Sequence, residues 1–226
     1  MSQIPSRTEI IEMVARAIYS GRVLNNAHRG DAVEMMVLAA LGSDWKHVGL
    51  GWHPWDLQRG QGFERVRIRV KQTAALQLWG NTIRRTVQFD WKKNAPSYFE
   101  RDNPGEFIEQ EGWFCDLFVF GLHDETDIAV ADQLDPAQWT FMVVPVCDLA
   151  QGAKSMALSK AIAKWPIVGW SQLKQAVDSS IEKIGAFRLS QQAEAKKLRG
   201  QVKPRLRIGK KEIGNSKLNA RLTFVV

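Results

Sequence analysis

The chain has 226 residues, 45% of them hydrophobic, and a formal net charge of +7. That apolar share excludes a disordered polymer and is ample for a core, and the length suits one generous domain, or one domain with an appendage. No apolar run reaches the ~18 residues of a membrane span, and two cysteines with four scattered histidines form no zinc spacing.

Taken in order, Ile10, Ile11, Val14, Ala17 and Ile18 recur at helical spacing within 8–20, with Thr8 as a plausible cap and Gly21 as the stop. A second helix is expected over 30–41, with Glu34 in its first turn. Val48 and Leu50 suggest a short strand leading into the turn Gly51-Trp52-His53-Pro54-Trp55-Asp56, whose proline and tryptophans would hold Asp56 firmly. Val66, Ile68 and Val70 alternate with Arg67, Arg69 and Lys71, the signature of a half-buried strand that sends Arg69 and Lys71 from one face.

Thr73 to Leu78 reads as short helix or irregular chain, and 85–91 as another alternating strand. Lys92 to Gly112 is loop-rich, a length of connection more often functional than idle. Two near-continuous apolar strands over 114–122 and 139–146 call for a sheet covered on both faces, with the acidic excursion 124–138 between them at the surface. Helices are expected over 155–163, 171–177 and 190–198, and weak terminal strands around Leu206, Ile208, Leu222, Phe224 and Val225. The order gives an α/β (α+β) core with a mixed central sheet flanked by helices.

Charge is unevenly placed. From Lys183 to Arg221 run twelve lysines and arginines opposed only by Glu194 and Glu212, a surplus of 12 − 2 = 10 against +7 for the whole chain. Residues 1–180 therefore read as the folded domain and 181–226 as a basic extension. Lys196, Lys197, Arg199, Lys203, Arg205, Arg207, Lys210 and Lys211 are candidate phosphate contacts that would gain affinity by counterion release. A solvated tail that keeps the protein soluble is the plainer alternative. Cys115 and Cys147 sit in apolar runs and read as reduced thiols, and the N-terminus lacks an export signal, so the expectation is a cytoplasmic protein.

Asp56, the Val66–Lys71 strand and helix-borne Glu34 together resemble the PD-(D/E)XK phosphodiesterase superfamily, the restriction-endonuclease-like fold. The strings Gly49-Leu50-Gly51-Trp52-His53-Pro54-Trp55-Asp56, Val70-Lys71-Gln72-Thr73-Ala74-Ala75-Leu76-Gln77-Leu78-Trp79, Phe114-Cys115-Asp116-Leu117-Phe118-Val119-Phe120 and Gln138-Trp139-Thr140-Phe141-Met142-Val143-Val144-Pro145 look like a group of uncharacterised bacterial proteins assigned to it. The resemblance implies a metal-dependent nuclease acting on DNA. Glu34 and Asp56 would hold Mg²⁺ or Mn²⁺, and Lys71 would steady charge on the phosphate.

Where the motif carries an acid two residues before the lysine, this chain has Arg69, which cannot ligate a cation. Three outcomes follow: Glu34 supplies the missing carboxylate; Arg69 turns outward or contacts phosphate while Gln72 or a main-chain carbonyl completes the shell; or the site binds nucleic acid without cutting it. Glu64 falls on the Val66 side of the alternation and is a weak substitute. Trp52 and Trp55 are the tryptophans expected to line a substrate groove, and a homodimer is compatible with a nuclease that cuts both strands. A purely structural reading remains beside these, with Lys71 a strand-end lysine, Asp56 a turn residue and Glu34 a helix-start acid.

Overall fold

The computed structural model describes residues 4–48, 54–81, 86–90, 92–97 and 108–201. Among the described residues there are four helices: α1 (Arg7–Tyr19), α2 (Asn26–Leu41), α3 (Leu158–Lys164) and α4 (Trp170–Gln201). The strands are β1 (Trp45–His47), β2 (Leu57–Arg59), β3 (Val66–Ala74), β4 (Leu76–Gln77), β5 (Gly80–Asn81), β6 (Thr86–Gln88), β7 (Lys92–Ser97), β8 (Ile108–Gly112), β9 (Leu117–His123), β10 (Thr140–Pro145), β11 (Ser155–Ala157) and β12 (Ile167–Gly169).

A mixed six-stranded sheet in the order β1-β2-β3-β9-β10-β12 forms the centre. Only the middle pair, β3 with β9, is parallel, and the flanking pairs are antiparallel. Every residue of β9 is buried, as its unbroken apolar sequence requires. One face of the sheet packs Ile68, Val70, Leu117, Val119 and Phe141 against Val33 and Val37 of α2 and Leu173 and Val177 of α4. The opposite face packs Phe118, Phe120 and Met142 against Val87, Phe89, Ala161 and Trp165. Alternation along β3 sends Val66, Ile68, Val70 and Gln72 to the α2 side and Arg67, Arg69 and Lys71 to the other.

α2 lies close to β9 at Gly121: a Cβ there would meet Val33 Cγ1 at 3.0 Å and Trp139 Cε3 at 3.2 Å, so a larger residue requires both side chains to shift. Trp170 Nε1 donates to the Met36 carbonyl at 3.0 Å and ties α4 to the same helix. By backbone proximity the chain divides into residues 1–184 and 185–226, a boundary that falls within α4. Among the described residues no helix is long and apolar enough to cross a membrane.

Several expected elements differ. α1 is capped by Ser6 rather than Thr8, because Glu9 three residues on completes a reciprocal capping box. α2 begins at Asn26, capped by the Asn25 side chain, which places Glu34 in mid-helix rather than in a first turn favoured by the helix dipole. The early strand is β1 at Trp45–His47, ahead of Val48. Thr73 and Ala74 continue β3 and are followed by the β4–β5 hairpin, so this stretch is not helical. β7 and β8 pair antiparallel inside the stretch read as loop.

Ser155–Ala157 pairs with β6 before α3 starts. The two expected C-terminal helices are parts of the single α4. The acidic excursion is not wholly superficial. Gln133 is buried, accepting from the Leu24 N–H and donating to the Leu76 carbonyl. Cys115 is buried and Cys147 only partly so, both free thiols.

Candidate functional site

Asp56 stands at the head of β2, where its N–H donates to the Ile68 carbonyl at 2.8 Å and its carbonyl accepts from the Val48 N–H at 2.8 Å. The β2–β3 register pairs Leu57 with Ile68, so the next positions outward, Asp56 and Arg69, face each other across the hairpin. Asp56 is 3% exposed. Its Oδ1 accepts from Arg69 Nη1 at 2.9 Å and its Oδ2 from the Val70 N–H at 2.7 Å.

Arg69 also reaches a second carboxylate, with Nε 3.5 Å from Asp90 Oδ2. Lys71, two residues on and on the same face, places Nζ 2.5 Å from that same oxygen. Asp90 follows β6, and its position is set by its neighbour Phe89, which is buried in the core and donates its N–H to the Lys154 carbonyl. On the α2 side, Glu34 Oε2 and His47 Nε2 lie 2.7 Å apart.

Burial raises the Asp56 carboxyl above its ordinary value, and the charge of Arg69, the Val70 hydrogen bond and the charges of Lys71 and His47 oppose that rise without cancelling it. Glu34 is raised first by burial and next by the charge of Asp56, with His47 and Arg69 pulling the other way. The structure thus brings Glu34, Asp56, Arg69 and Lys71 into one electrostatic cluster and adds His47 and Asp90. Beside Lys71 is a shallow depression lined in part by Thr73, Thr86, Gln88 and Leu158.

The other expected residues fall elsewhere. Gln72 is on the α2 face, accepting from Arg29 Nε at 2.7 Å and donating to Asn26, so it does not complete a shell around Asp56. Glu64 is exposed in a single helical turn before β3. Trp55, 6% exposed, belongs to the core rather than to an open groove; its ring carries the Arg65 and Arg67 guanidinium groups at 5.7 and 5.3 Å. Trp52 lies outside the described residues, as do Lys203, Arg205, Arg207, Lys210, Lys211 and the expected terminal strands. Lys196, Lys197 and Arg199 are on the backbone of α4, and their side chains lie outside the described part.

His47 and Asp90 are the residues that sequence reasoning missed. His47 is thirteen positions from Glu34, and Asp90 is nineteen from Lys71, distances for which no motif spacing exists. For Asp90 the one available signal is its place just after the buried Val87 and Phe89.

A divalent cation needs unshared carboxylate oxygens. Here a guanidinium sits on Oδ1 of Asp56 and a backbone N–H on Oδ2, while Glu34 is engaged with His47. Among the described residues no group of three or more histidine, cysteine, aspartate or glutamate side chains is placed to hold a metal ion. The residues as arranged do not fit Mg²⁺ or Mn²⁺, because Arg69 supplies the positive charge that a cation would bring to Asp56.

The architecture defines a mixed α/β protein with a six-stranded mixed sheet flanked by helices. No protein-family model matches the chain, and no curated protein and no solved structure matches it either.

Proposed function

We propose that this chain binds nucleic acid, DNA in the first instance, on a restriction-endonuclease-like core whose phosphodiesterase centre is closed by Arg69, so that binding proceeds without hydrolysis. One observation carries the reading: Arg69 Nη1 lies 2.9 Å from Asp56 Oδ1, at the position where the motif has an acid. A buried carboxylate neutralised by an internal guanidinium has its attraction for an external cation largely cancelled. The sequence resemblance supports the phosphodiester class of ligand, and the basic run from Lys183 onward supports contact with a polyanion. A reducing, cytoplasmic setting fits the two free thiols.

A second reading, a metal-dependent nuclease, is favoured by one feature. Glu34 feels the negative charge of Asp56, so two carboxylates stand close together with Lys71 nearby. In that reading Arg69 must leave Asp56 for the phosphate before a cation enters. The test is labelled duplex and single-stranded DNA with the full chain, in chelator and in Mg²⁺ or Mn²⁺, scored for both binding and product. Equal binding in both buffers with no product supports the first reading. Cleavage that disappears in Asp56→Ala establishes the second, and failure to bind DNA or RNA removes both.

A further inference from the structure

We infer that Arg69 and Lys71 form a binding site for a phosphodiester oxyanion, and that Asp90 is the resident counter-ion this oxyanion displaces. The inference rests on the nucleic-acid reading above for the source of the anion. One carboxylate oxygen, Asp90 Oδ2, is shared by Lys71 Nζ and Arg69 Nε, and these two cations leave the same face of β3.

Asp56 holds the other edge of the Arg69 guanidinium through Nη1, which fixes the guanidinium with Nε 3.5 Å from the shared oxygen. Charge balance favours exchange. Arg69 and Lys71 carry two positive charges against Asp56 and Asp90, and one phosphodiester in place of Asp90 leaves the sum unchanged. Thr73, Thr86 and Gln88, which line the depression beside Lys71, add hydroxyl and amide groups of the kind that hydrogen-bond phosphate oxygens.

Asp90 is built to yield. Its side chain is 34% exposed, and partly solvated ion pairs of this kind contribute little net stability. The neighbouring pair of Arg67 and Asp116 has a different character. Asp116 Oδ2 accepts from the Arg67 backbone N–H at 2.8 Å and from its Nε at 3.1 Å, Oδ1 accepts from Nη2 at 3.3 Å, and both side chains are largely buried. That pair is a structural staple, whereas the Asp90 carboxylate stands where solvent and an incoming oxyanion reach it.

The test uses the full chain in metal-free buffer, with two probes: a short fluorescein-labelled single-stranded DNA of random sequence, and sodium pyrophosphate. Asp90→Asn keeps the shape and removes the competing charge, so it is expected to bind the DNA roughly tenfold more tightly at low salt. Adding Lys71→Met to Asp90→Asn is expected to abolish that gain and to lower the salt slope by about 0.7, the value for one lost single-strand phosphate contact. DNA binding that is equal in wild type and Asp90→Asn overturns the inference while leaving the nucleic-acid reading intact. No DNA binding by either protein, with pyrophosphate bound more tightly by Asp90→Asn, keeps the anion site and removes the nucleic-acid reading. Should Asp90→Asn fail to fold, amine modification of Lys71 in the wild type, read by peptide mass spectrometry, decides. Protection by pyrophosphate supports the site, and unchanged modification overturns it.

Discussion

Asp56 and Arg69 form a 2.9 Å ion pair across the β2–β3 hairpin, just beyond its last paired residues, Leu57 and Ile68. The antiparallel β2–β3 pairing brings the two residues to one face of the hairpin. The Arg69 guanidinium therefore occupies Oδ1 of Asp56.

Removing the guanidinium exposes the consequence. Arg69→Ala leaves a buried carboxylate without its main counter-charge and is expected to cost about 3 kcal/mol in denaturant unfolding. Arg69→Glu instead adds a carboxylate beside Asp56, and calorimetry is expected to find saturable Mn²⁺ binding in this variant and none in the wild type. Absence of binding in Arg69→Glu would mean that more than residue 69 separates this centre from a cation site.

Trp55 is core, and truncation should show it. Trp55→Ala is expected to lose about 3–5 kcal/mol of stability. A variant that unfolds at the wild-type denaturant midpoint, yet binds DNA less well, would return this ring to a stacking role.

Gly121 records the close approach of α2 to β9. Gly121→Ala forces Val33 and Trp139 apart, and a loss of about 1–3 kcal/mol is expected from overpacking. Val33→Ala in the same chain relieves the nearest contact and should recover part of that loss, a coupling that a double-mutant cycle measures.

Acid should loosen the link between α4 and the 3₁₀ turn after β10. Burial works to raise the Asp148 carboxyl, but its hydrogen bonds from Lys183 and Trp165 and the charges of Lys183 and Lys164 outweigh that and hold it below its ordinary 3.8. A depressed folded value means the stabilisation is fully present above 3.8 and is lost as pH falls through the folded value. Thermal unfolding of wild type and Asp148→Asn should therefore differ at neutral pH and converge as the pH falls below 3.8. A constant difference across that range would assign the effect to packing.

Much of this protein is legible along the chain. Alternation in Val66-Arg67-Ile68-Arg69-Val70-Lys71 marks β3 and its faces, because a strand's side chains repeat every second residue. The unbroken apolar runs mark β9 and β10, which must be covered on both sides. The placement of Asp56 and Lys71 around that one strand is legible too, and both make ion pairs there.

The tertiary structure decided the rest. α4 is continuous where the sequence suggests two helices, since packing of Leu173, Val177 and Ile184 on the sheet outweighs weak local propensity. Gln72, next in sequence to Lys71, is turned away to Arg29 by the pleat of β3. The counter-ions could not be read from any spacing. That Arg69 closes on Asp56 follows from a strand register, and that Asp90 meets Lys71 follows from where Phe89 is buried, so both depend on through-space Coulomb interaction between residues that local sequence does not relate.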